Sequence, residues 1–146
     1  MIETFKAVAR KTSTGLEVET NSRGFKIIFD EPPQLGGSNQ GMNPVEGLLC
    51  TLGACESIVV AAFAKSQNFS YEEFYVELEG DLDPDGFKGL ADVPKGLQTI
   101  RFKMHFKTDE SQERCEEFAR FVESKCPIFE TLSLGTKLEC VGVVRD

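Results

Sequence analysis

Apolar and polar positions alternate in short pieces at the start of the chain: Phe5 to Ala9, Leu16 to Thr20, and Phe25-Lys26-Ile27-Ile28-Phe29, with Asn21-Ser22-Arg23-Gly24 between the last two. Period-two alternation bounded by turn residues predicts an antiparallel meander. The stretch Glu31-Pro32-Pro33-Gln34-Leu35-Gly36-Gly37-Ser38-Asn39-Gln40-Gly41 then breaks every periodicity. Its prolines remove donors and its glycines permit positive φ, so it reads as a loop leading to Asn43-Pro44. Asn43 as N-cap and Pro44 at the first helical position predict a helix running to about Gln67, roughly 35 Å long. Leu48, Leu49, Leu52, Ala54, Ile58, Val59, Val60, Ala61, Ala62, Phe63 and Ala64 point in almost every direction around its axis. A surface helix carries one apolar stripe, so this pattern predicts a central helix buried on most sides, with sheet covering one side and a second copy of the chain much of the rest.

Glu72 to Glu79 and Gln98 to Lys107 read as strands, the second alternating Ile100, Phe102, Met104 and Phe106 with Arg101, Lys103, His105 and Lys107. The connection from Asp81 to Gly96 reads as a hairpin loop or a flap. A second long helix is expected from about Ser111 to Ser124, with Cys115, Phe118 and Val122 on one stripe. Pro127 pushes Cys126 out of the α region, ending that helix, and can open a further helical turn through Thr131. Lys137 to Val144 reads as a last strand. The fold class is α+β, and the 146 residues are expected to form a single domain.

Charge narrows the partners. With 24 acidic against 16 basic residues the net charge is −8, a field that repels a nucleic-acid backbone or an anionic membrane surface. No apolar run resembles a secretory signal or about 18 charge-free residues of a membrane span, so a cytoplasmic location is expected. The five cysteines, an odd number at irregular spacings, do not form a secreted disulfide framework and are read as reduced thiols.

Cys115 on a helix stripe and Cys140 in the last expected strand read as packing, as does Cys50, which points about 140° away from Cys55 on a regular helix. Cys126 is different. It precedes a proline that can open a helical turn, where free N–H groups and the positive dipole end favour a thiolate. Cys55 follows Gly53 and Ala54, small residues that allow close approach of another backbone or a small ligand, but in mid-helix its activation requires a cation from elsewhere. One histidine and no paired CxxC exclude the usual structural zinc pattern, and His105 on a wet strand face reads as a solvated side chain. The acidic stretch Asp81 to Gly86 reads as turn chemistry because Pro84 and a missing downstream glutamate break the calcium-loop pattern.

Taken together, Asn43-Pro44-Val45-Glu46-Gly47-Leu48-Leu49, Leu52-Gly53-Ala54-Cys55 and the distant Cys126-Pro127-Ile128 with Leu132 resemble the OsmC/Ohr family of osmotically inducible and organic hydroperoxide resistance proteins. The resemblance spans essentially the whole chain. It implies antiparallel sheets packed around a long central helix in an interlocked homodimer, with active sites at the subunit interface. It also implies a peroxidatic role for Cys55 and a resolving role for Cys126, with an external dithiol as reductant. Family peroxidases add a glutamate directly after the Asn-Pro and an arginine from the N-terminal strands. Val45 occupies that glutamate position here, Glu46 points about 180° away from Cys55 on a regular helix, and Arg10 and Arg23 are the N-terminal arginine candidates.

These features lead to the expectation of a two-cysteine reductase of organic hydroperoxides that requires no metal, flavin or other cofactor. The alternative is a non-enzymatic dimer that binds an apolar ligand at the subunit interface and keeps its cysteines for redox sensing or packing. Val45 in place of glutamate favours that alternative.

Overall fold

A computed structural model describes residues 1–146. The order of elements is β1 (Val8–Lys11), β2 (Val18–Ser22), β3 (Phe25–Phe29), a 3₁₀ turn (Pro33–Leu35), α1 (Pro44–Phe63), β4 (Glu73–Leu82), α2 (Pro84–Lys88), β5 (Leu97–Lys107), α3 (Gln112–Lys125) and α4 (Pro127–Leu134). Contacts divide the chain into two compact units, Met1–Leu48 and Leu49–Asp146, and α1 begins in the first and runs into the second.

The first unit holds the expected meander, an antiparallel sheet in the order β1-β2-β3 with Ser22 paired to Phe25 and Val18 to Phe29. Arg23 and Gly24 both take positive φ (55° and 90°), which is the tight reversal that matches strand twist. Asn21 Oδ1 accepts from the Gly24 N–H at 3.0 Å, and the Arg23 guanidinium lies over the Phe25 ring. The following loop is organised by Asp30. Its buried carboxylate accepts N–H bonds from Glu31 (2.7 Å), Ser38 (3.3 Å) and Gln40 (3.2 Å), and the Glu31 bond foremost holds its pKa below the ordinary value. Backbone passes so close here that a Cβ on Gly37 would sit 1.9 Å from the Glu31 carbonyl oxygen.

Asn43 and Glu46 form a reciprocal capping box at the start of α1: the Glu46 N–H donates to Asn43 Oδ1 (2.8 Å) and the Asn43 N–H to Glu46 Oε1 (2.9 Å). The helix ends at Phe63, a turn earlier than its composition suggests, and Asn68 takes a positive φ of 53° as the chain reverses. By length and hydropathy α1 also satisfies the criteria for a membrane span. Its stripe of Leu52, Glu56, Val59 and Val60, however, is buried within the chain.

In the second unit β4 and β5 form a two-stranded antiparallel sheet, Phe74 opposite Phe106 and Leu78 opposite Phe102. Phe74, Leu78, Ile100, Phe102, Met104 and Phe106 pack on the core made by α1 and α3. The outer face carries charge pairs, including Arg101 bonded to Asp81 (2.6 Å) and Glu79 (2.9 Å). His105 joins this face, bonded to Glu77 at 2.5 Å and stacked on Tyr75, so it is paired rather than merely solvated. Phe69 stacks on Phe118 and meets Phe106 edge-on, joining α3 to the sheet through aromatic rings.

Two expectations need correction. The connection after β4 is neither plain loop nor flap throughout, because Asp83 caps α2 and Gly89 closes it in a left-handed conformation. Lys137 to Val144 is not a strand: it forms no ladder, and Leu138, Val141, Val143 and Val144 are exposed. Strand pattern is insufficient without a neighbouring edge to supply hydrogen bonds. The remaining boundaries agree to within a few residues.

Gly37→Ala is expected to lower stability by about 1–3 kcal/mol through forced displacement of the Asp30 loop. Chemical denaturation of the two proteins side by side measures the difference.

Candidate active site

Cys126 sits where α3 stops and α4 starts. Its φ of −80° and ψ of 112° are extended, as required of a residue before proline, so one residue serves as C-cap of α3 and N-cap of α4. The side chain is 1% exposed, and its sulfur accepts the Phe129 N–H at 3.4 Å in place of the usual oxygen cap. Cys55 lies in mid-α1, partly buried against the same core. The two thiols are close enough that Cys55 raises the pKa of Cys126. Residues 71 positions apart in sequence are thereby neighbours in space, both of them free thiols.

Burial pushes the Cys126 thiol up to about 11, and the neighbouring Cys55 thiol adds to the rise; the N–H groups of Phe129 and Ile128 oppose it without cancelling it. The helix terminus therefore supplies the donor anticipated from Pro127, but burial outweighs it and Cys126 rests as a protonated donor. Cys115 is likewise raised, chiefly by burial, while Cys50 and Cys140 are exposed.

Leu52, Ile100, Phe102, Phe129 and Leu132 line a mostly apolar cleft of about 250 Å³ whose rim also carries Gln98, Thr99 and Ser133; neither cysteine is part of its wall. Leu52 lies one turn before Cys55, and Phe129 is the residue whose N–H meets Cys126. An apolar chain of modest size suits such walls.

The other candidates have local duties. Glu46 is committed to the capping box. Arg23 is a turn residue stacked on Phe25, and Arg10 is exposed on β1 opposite Glu19. No group of three or more His, Cys, Asp or Glu side chains converges in a way that could hold a metal ion.

Glu56, which sequence reasoning passed over, is fully buried with both carboxylate oxygens lacking a hydrogen-bond partner. Burial, reinforced by the negative charge of Glu123, raises its pKa from 4.5 to about 7. The available signal was a glutamate four residues from both Leu52 and Val60, on what is otherwise an apolar stripe. Unfolded chain would release this proton near 4.5, whereas the folded chain keeps it to about 7. Folding is therefore unpenalised below the lower value and loses stability as pH rises through the higher one. Glu56→Gln is expected to gain little at pH 5 and on the order of 2 kcal/mol by pH 8. Denaturant titrations across that range measure it, and a gain independent of pH would contradict the assignment.

Comparison with known proteins places this arrangement in context. The OsmC-like protein family model matches residues 37–141, a span that includes both cysteines. A hydroperoxide reductase of Mycoplasma genitalium is 28% identical over 114 residues, covering 76% of this chain and 74% of the relative. The crystal structure of an OsmC-like protein from Mycoplasma pneumoniae superposes with a TM-score of 0.78 at 22% identity, covering 91% of this chain and 89% of that one. An organic hydroperoxide resistance protein OsmC from Legionella pneumophila has the same fold, with a TM-score of 0.67, 23% identity and 90% coverage of each chain. With a matching family model over most of its length and the same α+β architecture, the chain belongs to the OsmC-like protein family.

Proposed function

We propose that the protein reduces organic hydroperoxides with Cys55 and Cys126, and the observation that carries this reading is that the two thiols lie together in one core, near enough for Cys55 to raise the pKa of Cys126. Two relatives bearing the name hydroperoxide reductase, at 28% and 25% identity, support the same direction. In this scheme the Cys55 thiolate attacks the distal peroxide oxygen, an S–O bond forms as O–O breaks, and the alkoxide takes a proton and leaves as alcohol. Cys126 sulfur then attacks the Cys55 sulfenic acid, forming S–S and expelling the oxygen as water. An external dithiol returns both cysteines to thiols and is itself oxidised to a disulfide. A buried, protonated Cys126 is consistent with a resolving rather than an attacking role, because it stays inert until an electrophilic sulfur is next to it. The apolar cleft favours a peroxide with a hydrocarbon substituent.

The same cleft favours a second reading, in which an apolar ligand occupies it and the cysteines only sense redox state. Peroxide consumption driven by dihydrolipoamide or dithiothreitol separates the two. Cys55→Ser is expected to abolish turnover, and Cys126→Ser to permit oxidation but accumulate a dimedone-reactive sulfenic acid. Activity indifferent to Cys55→Ser would end the peroxidase reading, and a lipid recovered by native mass spectrometry from an inactive protein would establish the second.

We also propose that the chain is one functional domain, 1–146, acting as a homodimer. Cys50, Ala54, Ile58, Ala61 and Ala62 of α1 are exposed, as are the apolar residues of the segment after α4, and a second copy is the natural cover for both. Light scattering is expected to give twice the chain mass of 16.2 kDa; a stable monomer would overturn the assignment.

A further inference from the structure

No cysteine lines the apolar cleft, so a molecule that enters it reaches the thiols only through a residue that belongs to both places. Phe129 is such a residue. Its N–H donates to Cys126 Sγ at 3.4 Å, and its carbonyl accepts the Ser133 hydroxyl at 2.6 Å, so its backbone is tied in both directions along α4. Its ring lines the cleft and meets Phe102 of β5 edge-on, with centroids 6.1 Å apart. The rest of α4 is loosely held: none of its residues is fully buried, Leu134 is exposed, and the chain after it joins no ladder. Ile128 and Phe129 are the residues by which this helix packs on the core. Yet α4 begins on a sulfur that is only 1% exposed. A reagent therefore reaches Cys126 only when the first turn of α4 opens, and Phe129 holds that turn shut.

We propose that Phe129 is a positioning residue that couples occupancy of the apolar cleft to the access of Cys126: a small apolar molecule lodged between α4 and β5 clamps the first turn of α4 and keeps the sulfur shut in the core. The occupant is a compact hydrocarbon bearing one hydroxyl, because the walls are apolar while Gln98, Thr99 and Ser133 on the rim meet a polar end. Its identity rests on the hydroperoxide reading above, since the alcohol left by an organic peroxide is a molecule of this kind. Binding to the closed form alone favours that form by a factor that grows with the ligand's concentration over its dissociation constant. The coupling is reciprocal, so opening of α4 weakens the ligand's hold to the same extent that the ligand opposes opening. Occupancy then orders the cycle. While the alcohol is present, Cys126 stays in the core it shares with Cys55 as the disulfide forms; once the alcohol leaves, α4 loosens and the disulfide is open to an external dithiol.

The test measures alkylation of the reduced full-length chain by N-ethylmaleimide, followed cysteine by cysteine by peptide mass spectrometry, against rising cumyl alcohol. Cys115, half-buried on α3 and outside the cleft, is the internal control. In the wild type the Cys126 rate is expected to fall by about tenfold at ten times the half-protecting concentration, while the Cys115 rate holds. Phe129→Ala raises the Cys126 rate relative to Cys115 in the free protein and removes the protection, and Phe129→Leu, which keeps an apolar wall, restores part of it. Leu132→Ala, on the same wall but with no bond to Cys126, moves protection to higher concentration without removing it. If Phe129→Ala loosens the whole chain, Cys115 rises with Cys126 and the leucine variant decides. Full protection in both Phe129 variants, equal protection of Cys115, or no protection of the wild type at saturating alcohol overturns the coupling. Protection in a chain that turns over no cumene hydroperoxide leaves the coupling standing and sinks the peroxidase reading; turnover without protection does the reverse.

Discussion

The inward stripe of α1 is the constraint on which the second unit depends. Leu52, Val59 and Val60 are almost wholly removed from water against α3 and the β4-β5 sheet, and each such side chain contributes on the order of 2 kcal/mol. That burial fixes the rotation of α1 about its axis. Once the rotation is fixed, Cys55 has no freedom to face elsewhere, and Glu56 is carried into the core whether or not a partner awaits it. Gly53 serves the same contact, since a Cβ there would sit 2.7 Å from Leu78. The cost of the buried carboxyl is thus borne by apolar packing on either side of it.

The opposite wall is set by a chain break. Pro127 cannot continue α3, and the extended conformation it imposes on Cys126 turns the sulfur inward while supplying the Phe129 N–H as its cap. Burial and helix-terminus stabilisation act on this thiol with opposite sign, and burial wins. A cysteine that remains protonated yet touches a second sulfur differs physically from one activated at an exposed helix end.

Membership of the OsmC-like family does not by itself assign the surrounding carboxylates and cations. Val45 removes a carboxylate from the position directly after the Asn-Pro, and the adjacent Glu46 is occupied in satisfying the first N–H groups of α1. Glu56 instead brings a carboxylate next to Cys55 along the helix. The two glutamates illustrate how little residue type says without environment: one is solvated and caps a helix, the other is sealed and titrates near neutrality.

Local chemistry alone determined the meander, the start of α1 at Asn43-Pro44, the alternation of β5 and the break at Cys126-Pro127, because each depends on backbone preferences within a few residues. The two motif cysteines and the N-cap role of Asn43 were legible for the same reason. Tertiary structure decided the rest. Only packing could bring Cys55 and Cys126 together, reverse the expected acidity of Cys126 and leave Glu56 without a partner, since desolvation is a property of what surrounds a group and not of its neighbours in sequence. The segment from Lys137 to Val144 shows the converse limit: its alternation is that of a strand, but strand structure requires a second edge, and no pattern within one segment can supply it.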